Sequence, residues 1–198
     1  MIPKDTSSYR FSESQGRALL MLARRTISDK LAPDATATDD DLCAALGDDC
    51  FQLPCGTFVT LKIEGRLRGC IGNLTSTETV LEGVRRNSIN AALHDPRFSP
   101  LSQDELRQSR IEVSILSEPQ PLAHSGGQDL IKKLHPHVDG LIIRKGHASA
   151  TFLPQVWEQL PDPEDFLTHL CLKAGLPSDE WKNADLKVST YQVQYFEE

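Results

Sequence analysis

Between Phe58 and Ile71 the apolar residues fall on alternate positions, and Glu64-Gly65 interrupts the run midway. Strand side chains point to opposite faces with a period of two, so this stretch reads as a β-hairpin. A two-residue loop at Glu64-Gly65 would place Val59, Leu61 and Ile63 on the same face as Arg66, Arg68 and Cys70. A three-residue loop, Ile63-Glu64-Gly65, with Gly65 in the left-handed bulge position, groups Val59, Leu61, Leu67 and Ile71 instead. The second register is the expectation, because it separates oil from charge. It leaves Thr60, Lys62, Arg66, Arg68 and Cys70 on one polar face, where a thiol shares its side of the sheet with guanidinium groups.

Helical periodicity surrounds this hairpin. Ser12 and Gln15 stand in capping-box positions before Leu19, Leu22, Ala23, Ile27 and Leu31, which share one helical face. A connection rich in Pro, Thr and Asp runs from Pro33 to Asp41, and a short turn around Leu42–Leu46 follows. Thr75 and Glu78 predict another cap, opening a helix that ends near His94-Asp95 because Pro96 cannot continue it. Ser102 and Glu105 cap a short helix before the alternating strand Ile111–Ile115. Residues 126–134 read as a helix. The apolar segments Leu141–Ile143 and Ala150–Leu153 flank Lys145-Gly146-His147 as a second hairpin, and Pro154 opens a short helix. Asp162 caps a helix that buries Phe166, Leu167, Leu170, Cys171 and Ala174 and stops at Gly175. Leu186–Phe196 supplies one terminal strand. Hairpins and helices without a βαβ repeat indicate an α+β fold with a largely antiparallel sheet and flanking helices.

The 198 residues include 21 Lys+Arg and 28 Asp+Glu, a net charge of −7, with 39% hydrophobic and 25% charged residues. Such a chain buries a core and lacks the long apolar run of a membrane span. Non-specific nucleic-acid binding is disfavoured, since counterion release needs clustered Lys and Arg. The amino-terminal residues carry no secretory pattern and the five cysteines show no regular spacing, so reduced thiols and a cytoplasmic location are expected.

The stretch Gly65-Arg66-Leu67-Arg68-Gly69-Cys70-Ile71-Gly72 contains LRGCIG. Around it, in order, stand FVTLKIEGRLRGCIGNL, DPRF at Asp95–Phe98, IEVSIL at Ile111–Leu116, DGLII at Asp139–Ile143, FLPQV at Phe152–Val156 and LCLKAGL at Leu170–Leu176, with Trp181 behind it. This ordered set resembles the AMMECR-one domain family, also called AmmeMemoRadiSam system protein A, over nearly the whole chain. The resemblance implies a two-lobed single domain over residues 11–198, made of two subdomains with a cleft beside LRGCIG, after a flexible segment at residues 1–10. It also implies a shared system with Memo-family and radical SAM proteins. Trp157-Glu158-Gln159-Leu160-Pro161 departs from the family pattern after FLPQV.

Cys70 stands between Gly69 and Gly72, which let a ligand or another backbone come close. Nearby Arg68 and Arg97 favour a thiolate, the form that acts as nucleophile. The other reading of Cys70 is a small buried packing residue. Asp95 and Arg97 flank Pro96, placed either to contact a substrate or to pair with each other. The candidate site is therefore Cys70 as the reacting group, with Arg68, Gly69, Gly72, Asp95 and Arg97 binding an anionic small molecule or a modified protein group. The alternative is a non-catalytic module that binds a partner protein, a nucleotide or RNA. Glu112 and Ser114 lie on the polar side of their strand. His94 and His147 are candidate bases, and His135-Pro136-His137 offers two imidazoles without a third ligand. Cys43, Cys50 and Cys55 lack zinc spacing, and no cofactor motif is present.

Overall fold

The computed structural model describes residues 10–32, 40–74 and 77–198. They divide into two compact units, the first reaching to Glu118 and including Gln194–Glu198, the second spanning Pro119–Val193. The fold is α+β, with two four-stranded sheets where the sequence pattern suggested one. Residues 1–9 of the expected flexible terminus, 33–39 of the Pro-rich connection and the predicted cap Thr75 lie outside the described residues.

Unit 1 opens with α1 (Glu13–Leu31), whose cap is the expected one: Ser12 Oγ accepts the Gln15 N–H and Gln15 Oε1 accepts the Ser12 N–H. The helix buries Leu19, Leu22, Ala23 and Ile27 at the predicted spacing. After α2 (Asp40–Ala45) and a 3-10 turn at Asp49–Gln52 come β1 (Gly56–Ile63) and β2 (Arg66–Asn73). Then follow α3 (Val80–Leu93), α4 (Gln103–Gln108) and β3 (Ser109–Leu116). Thr79 with Glu82 caps α3, four residues beyond the predicted pair. The strand order is β2-β1-β3-β8, where β8 (Val193–Glu197) brings the chain back to unit 1. Val59, Leu61, Ile111 and Val113 from β1 and β3 join Val80, Val84 and Ala91 of α3 and the buried face of α1 in one core.

The β1–β2 register corrects the expected three-residue loop. Glu64 and Gly65 both take left-handed φ values, 51° and 75°, as a two-residue type I′ turn requires. Ile63 therefore faces Arg66, and Lys62 faces Leu67, which is 43% exposed and not in the core. The register then shifts between Leu61 and Lys62, so that Leu61 faces Gly69 and Arg68 is the extra residue of a bulge. One inserted residue restores the parity. Beyond it Val59 faces Ile71 and Thr60 faces Cys70, so the inferred polar side holds for Thr60, Lys62 and Cys70 by a different route, while Arg66, opposite Ile63, falls on the other face.

Unit 2 contains β4 (Gln120–Leu122), α5 (Gly127–Lys133), β5 (Gly140–Lys145), β6 (Ala148–Phe152), α6 (Pro163–Lys173) and β7 (Lys187–Tyr191). Its strands run antiparallel in the order β4-β7-β5-β6. Trp157 stacks on Phe166 with ring centroids 3.7 Å apart, and its indole N–H donates to the Asp139 carbonyl. Asp162 caps α6, and Gly175 ends it with φ 73°. The single terminal strand expected over Leu186–Phe196 is in fact two, β7 in one sheet and β8 in the other, separated at Gln192.

Candidate functional site

β2 is an edge strand, so alternate backbone groups along it face away from the sheet and need partners from elsewhere. At Cys70 both have one. The Cys70 N–H donates to Asp95 Oδ2 at 2.9 Å, and the Cys70 carbonyl accepts from Arg97 Nη2 at 3.0 Å. Pro96 ends the path of α3, and the loop that follows carries these two side chains back to the strand.

Asp95 is 4% exposed. Its carboxylate also accepts from the Arg97 backbone N–H, from Arg97 Nε at 2.9 Å and from Arg97 Nη2 at 2.7 Å. The Arg97 guanidinium, followed by the Cys70 and Arg97 amides, holds this carboxyl well below the usual carboxylate range against the opposing effect of burial. Arg97 in turn is held charged, first by Asp95. Its side chain remains half exposed, and Nη1 takes no part in these bonds.

Arg68, the bulge residue, points its guanidinium at α4. Nε and Nη2 donate to the two oxygens of Glu105 at 2.9 and 3.1 Å, and Nη2 also donates to the Ser99 carbonyl. Glu105 is lowered to about 2, first by Arg68 and next by the Ser102 amide that it caps. The Phe98 ring lies 5.7 Å from the Arg68 guanidinium and 5.6 Å from that of Arg97, within cation–π range of both.

The sulfur of Cys70 is half-buried and accepts a hydrogen bond from Thr60 Oγ1 at 3.1 Å. Thr60 faces Glu112 on its other side. Lys62 Nζ donates to Glu112 at 2.9 Å and to Glu197 at 3.4 Å, and its raised pKa comes first from Glu112. The buried Ser114 hydroxyl donates to Glu112 at 3.5 Å. The two motif glycines have structural occupants for the space beside them. A Cβ on Gly69 would stand 2.1 Å from the Ala91 carbonyl oxygen of α3, and one on Gly72 would meet the Phe58 ring and the Thr57 carbonyl.

The structure thus gathers Cys70, Arg68, Asp95 and Arg97 with Phe98 and Glu105, and turns Gly69 and Gly72 to packing. His94 is exposed at the end of α3, while His147 lies in the β5–β6 turn of unit 2. His135 Nδ1 sits 3.0 Å from Asp139, and among the described residues no group of three or more His, Cys, Asp or Glu is placed to hold a metal ion. Burial raises the thiols of Cys171 and Cys55, the latter to about 11. Thr60, Lys62, Phe98 and Glu105 were missed as partners. Thr60 and Lys62 were visible on the polar side of the hairpin, but their pairing depends on the bulge.

Among the described residues no helix is long and apolar enough to cross a membrane. A solved structure of the uncharacterized protein PH0010 from Pyrococcus horikoshii superposes with a TM-score of 0.80 at 33% identity, covering 96% of this chain and 94% of that one. A protein of Methanothermobacter thermautotrophicus is 37% identical over 189 residues, 94% of this chain and 96% of its own length. One from Methanosarcina mazei is 38% identical over 189 residues, 94% and 93% of the two chains. The AMMECR1 family matches residues 20–196, and the chain belongs to the AMMECR1 family.

Proposed function

We propose that Cys70 is the working group of unit 1, a thiol held in fixed position for reaction with a small molecule or a modified protein group, and that the chain is an enzyme component. The observation that carries this reading is the clamp. A packing cysteine needs no special treatment of its peptide groups, yet here a buried carboxylate and a guanidinium take both of them. Holding a reacting group by locked neighbours is how a site reaches working geometry. Arg68 and Arg97 act first as positioning residues, since each is bonded to a carboxylate. On the half-exposed Arg97 the Nη1 edge, outside these bonds, remains available to a ligand that carries oxygen acceptors, whereas the Arg68 side chain is largely buried. Memo-family and radical SAM proteins are the partners with which such a component would share a system.

The test is the rate of alkylation of the native protein, with peptide mapping to separate Cys70 from the other four thiols. Cys70 labels first if the reading holds, and Cys70→Ser abolishes function in cells while the protein stays folded. Protection of Cys70 until denaturation overturns it.

A second reading, a binding module without chemistry, draws on the pairing of the same charges. Arg68 with Glu105 and Arg97 with Asp95 leave this cluster with no net charge, which suits a partner protein segment better than a polyanion such as RNA. Under that reading Arg97→Ala weakens the complex while Cys70→Ser is nearly silent.

A further inference from the structure

Three strands bring a row of side chains together across the sheet: Cys70 on β2, Thr60 on β1 and Glu112 on β3. Residues directly opposite each other have Cβ atoms about 5 Å apart, so the Thr60 hydroxyl stands within reach of two acceptors, a thiol sulfur and a carboxylate. It has one proton to give. A free carboxylate is the stronger acceptor by far, yet the hydroxyl bonds to sulfur. The reason lies one step further along the same face. Lys62, two residues from Thr60, holds Glu112 at 2.9 Å, and Ser114 approaches its other oxygen.

We infer that Lys62 and Glu112 act on Cys70 through Thr60: the ion pair occupies the carboxylate, and the Thr60 proton is thereby directed to the sulfur. This inference rests on the reading of Cys70 as the working group and names the residues that position it. Thr60 is suited to the task, because its branched side chain is stiff about χ1 and its surroundings are half-buried. The sulfur attacks as the thiolate and gives up its negative charge to the new bond, so a hydroxyl aimed at it acts before that step, by steadying the thiolate that must first form. Loss of Lys62 releases Glu112 to draw the hydroxyl away, so an ion pair that never touches the thiol still sets its reactivity.

The experiment measures Cys70 alkylation by iodoacetamide at one fixed pH near neutrality, with mapping of the labelled peptide, in the full chain. Thr60→Val, nearly isosteric, slows labelling about threefold, the size of one modest hydrogen bond, and Thr60→Ser retains the original rate. Lys62→Met slows it to the Thr60→Val level, and adding Glu112→Gln to Lys62→Met restores most of the loss, an interaction that a general loosening of the sheet does not produce. Lys62→Gln serves as a second variant, and thermal unfolding of each protein checks that it is folded. If Cys70 labels readily and Lys62→Met labels at the original rate, the inference fails while the Cys70 reading stands. If Cys70 of the unaltered protein is protected until denaturation, both fall together.

Discussion

Each sheet exposes edge strands, and two of them, β2 in unit 1 and β6 in unit 2, are treated very differently. At β6, Lys173 from α6 donates to the Thr151 carbonyl at 3.0 Å and lies 5.0 Å from the Phe152 ring. One flexible cation on an edge carbonyl is ordinary protection against strand pairing. At β2 the carbonyl and the amide of one residue are both taken, by a buried carboxylate that accepts four hydrogen bonds and by the guanidinium bonded to it. Burying a charge is costly unless it is fully bonded, so the β2 arrangement is far more demanding than edge protection requires. The difference is that β2 has both peptide groups of Cys70 fixed by side chains, where β6 has a single carbonyl covered.

The largest effect that sharpens this contrast is expected at Gly69. A Cβ there collides with backbone of α3, the Ala91 carbonyl, at 2.1 Å, and no side chain can turn aside to make room. Gly69→Ala should cost about 3 kcal/mol, read from urea unfolding. Its counterpart in unit 2 is Gly140, where the added atom meets the Tyr191 ring at 2.5 Å. The ring is a side chain, so Gly140→Ala should cost less. Equal losses would show that β2 is no more tightly fixed than β5.

Next in size is the clamp. Asp95→Asn keeps the shape of the side chain but removes the charge facing Arg97 and leaves one donor turned toward donors. About 2 kcal/mol of stability should be lost, a value reduced from that of a fully buried pair because Arg97 is half exposed. The pH dependence carries the same information. A carboxyl depressed in the folded state stabilises the protein above its unfolded value of about 3.9 and loses that contribution as pH falls. The unaltered protein should therefore lose its advantage over Asp95→Asn below about pH 4. Glu105 adds to the acid sensitivity between about pH 4 and its folded value of about 2, more weakly because its side chain is 36% exposed. A gap between the two proteins that stays constant from pH 7 to pH 3 would remove the carboxylate from the explanation.

Much of this architecture was legible in the residues because it is written locally. Caps at Ser12, Ser102 and Asp162, the stop at Gly175 and the second hairpin need only neighbours in sequence, and all are found where expected. What escaped depends on distant partners. The bulge at Arg68 is set jointly by the Glu64-Gly65 turn and by the core preference of Val59 and Leu61, and neither alone reveals it. The terminal segment reads as one strand because Val188, Thr190, Tyr191, Val193, Tyr195 and Phe196 are strand-forming types and no Gly or Pro interrupts them. Its buried residues are Leu186, Val188, Tyr191 and Phe196, and the steps of three and five after Val188 do not fit one uninterrupted strand with one buried face. At the candidate site the residue types were legible, and the local Asp95–Arg97 pairing was one of the two alternatives. That both close on the peptide groups of Cys70, and that Arg68 turns to Glu105, follows from the fold around them.

The smallest expected effect tests the other side of the comparison. Lys173→Ala removes the cation from the β6 edge but leaves the Thr151 carbonyl open to water, since Lys173 lies on the exposed surface. Water replaces the lost donor, so stability should change by no more than about 0.5 kcal/mol. The Thr151 hydroxyl is bonded independently to the Leu141 carbonyl and to Tyr191, so the strand keeps its place. The more informative readout is association. With the charge gone, the edge can accept another strand, and sedimentation at rising protein concentration should show weak self-association for Lys173→Ala and none for the unaltered chain. If instead Lys173→Ala costs as much stability as Asp95→Asn, the two edges are built to the same purpose, and the clamp on Cys70 loses its special meaning.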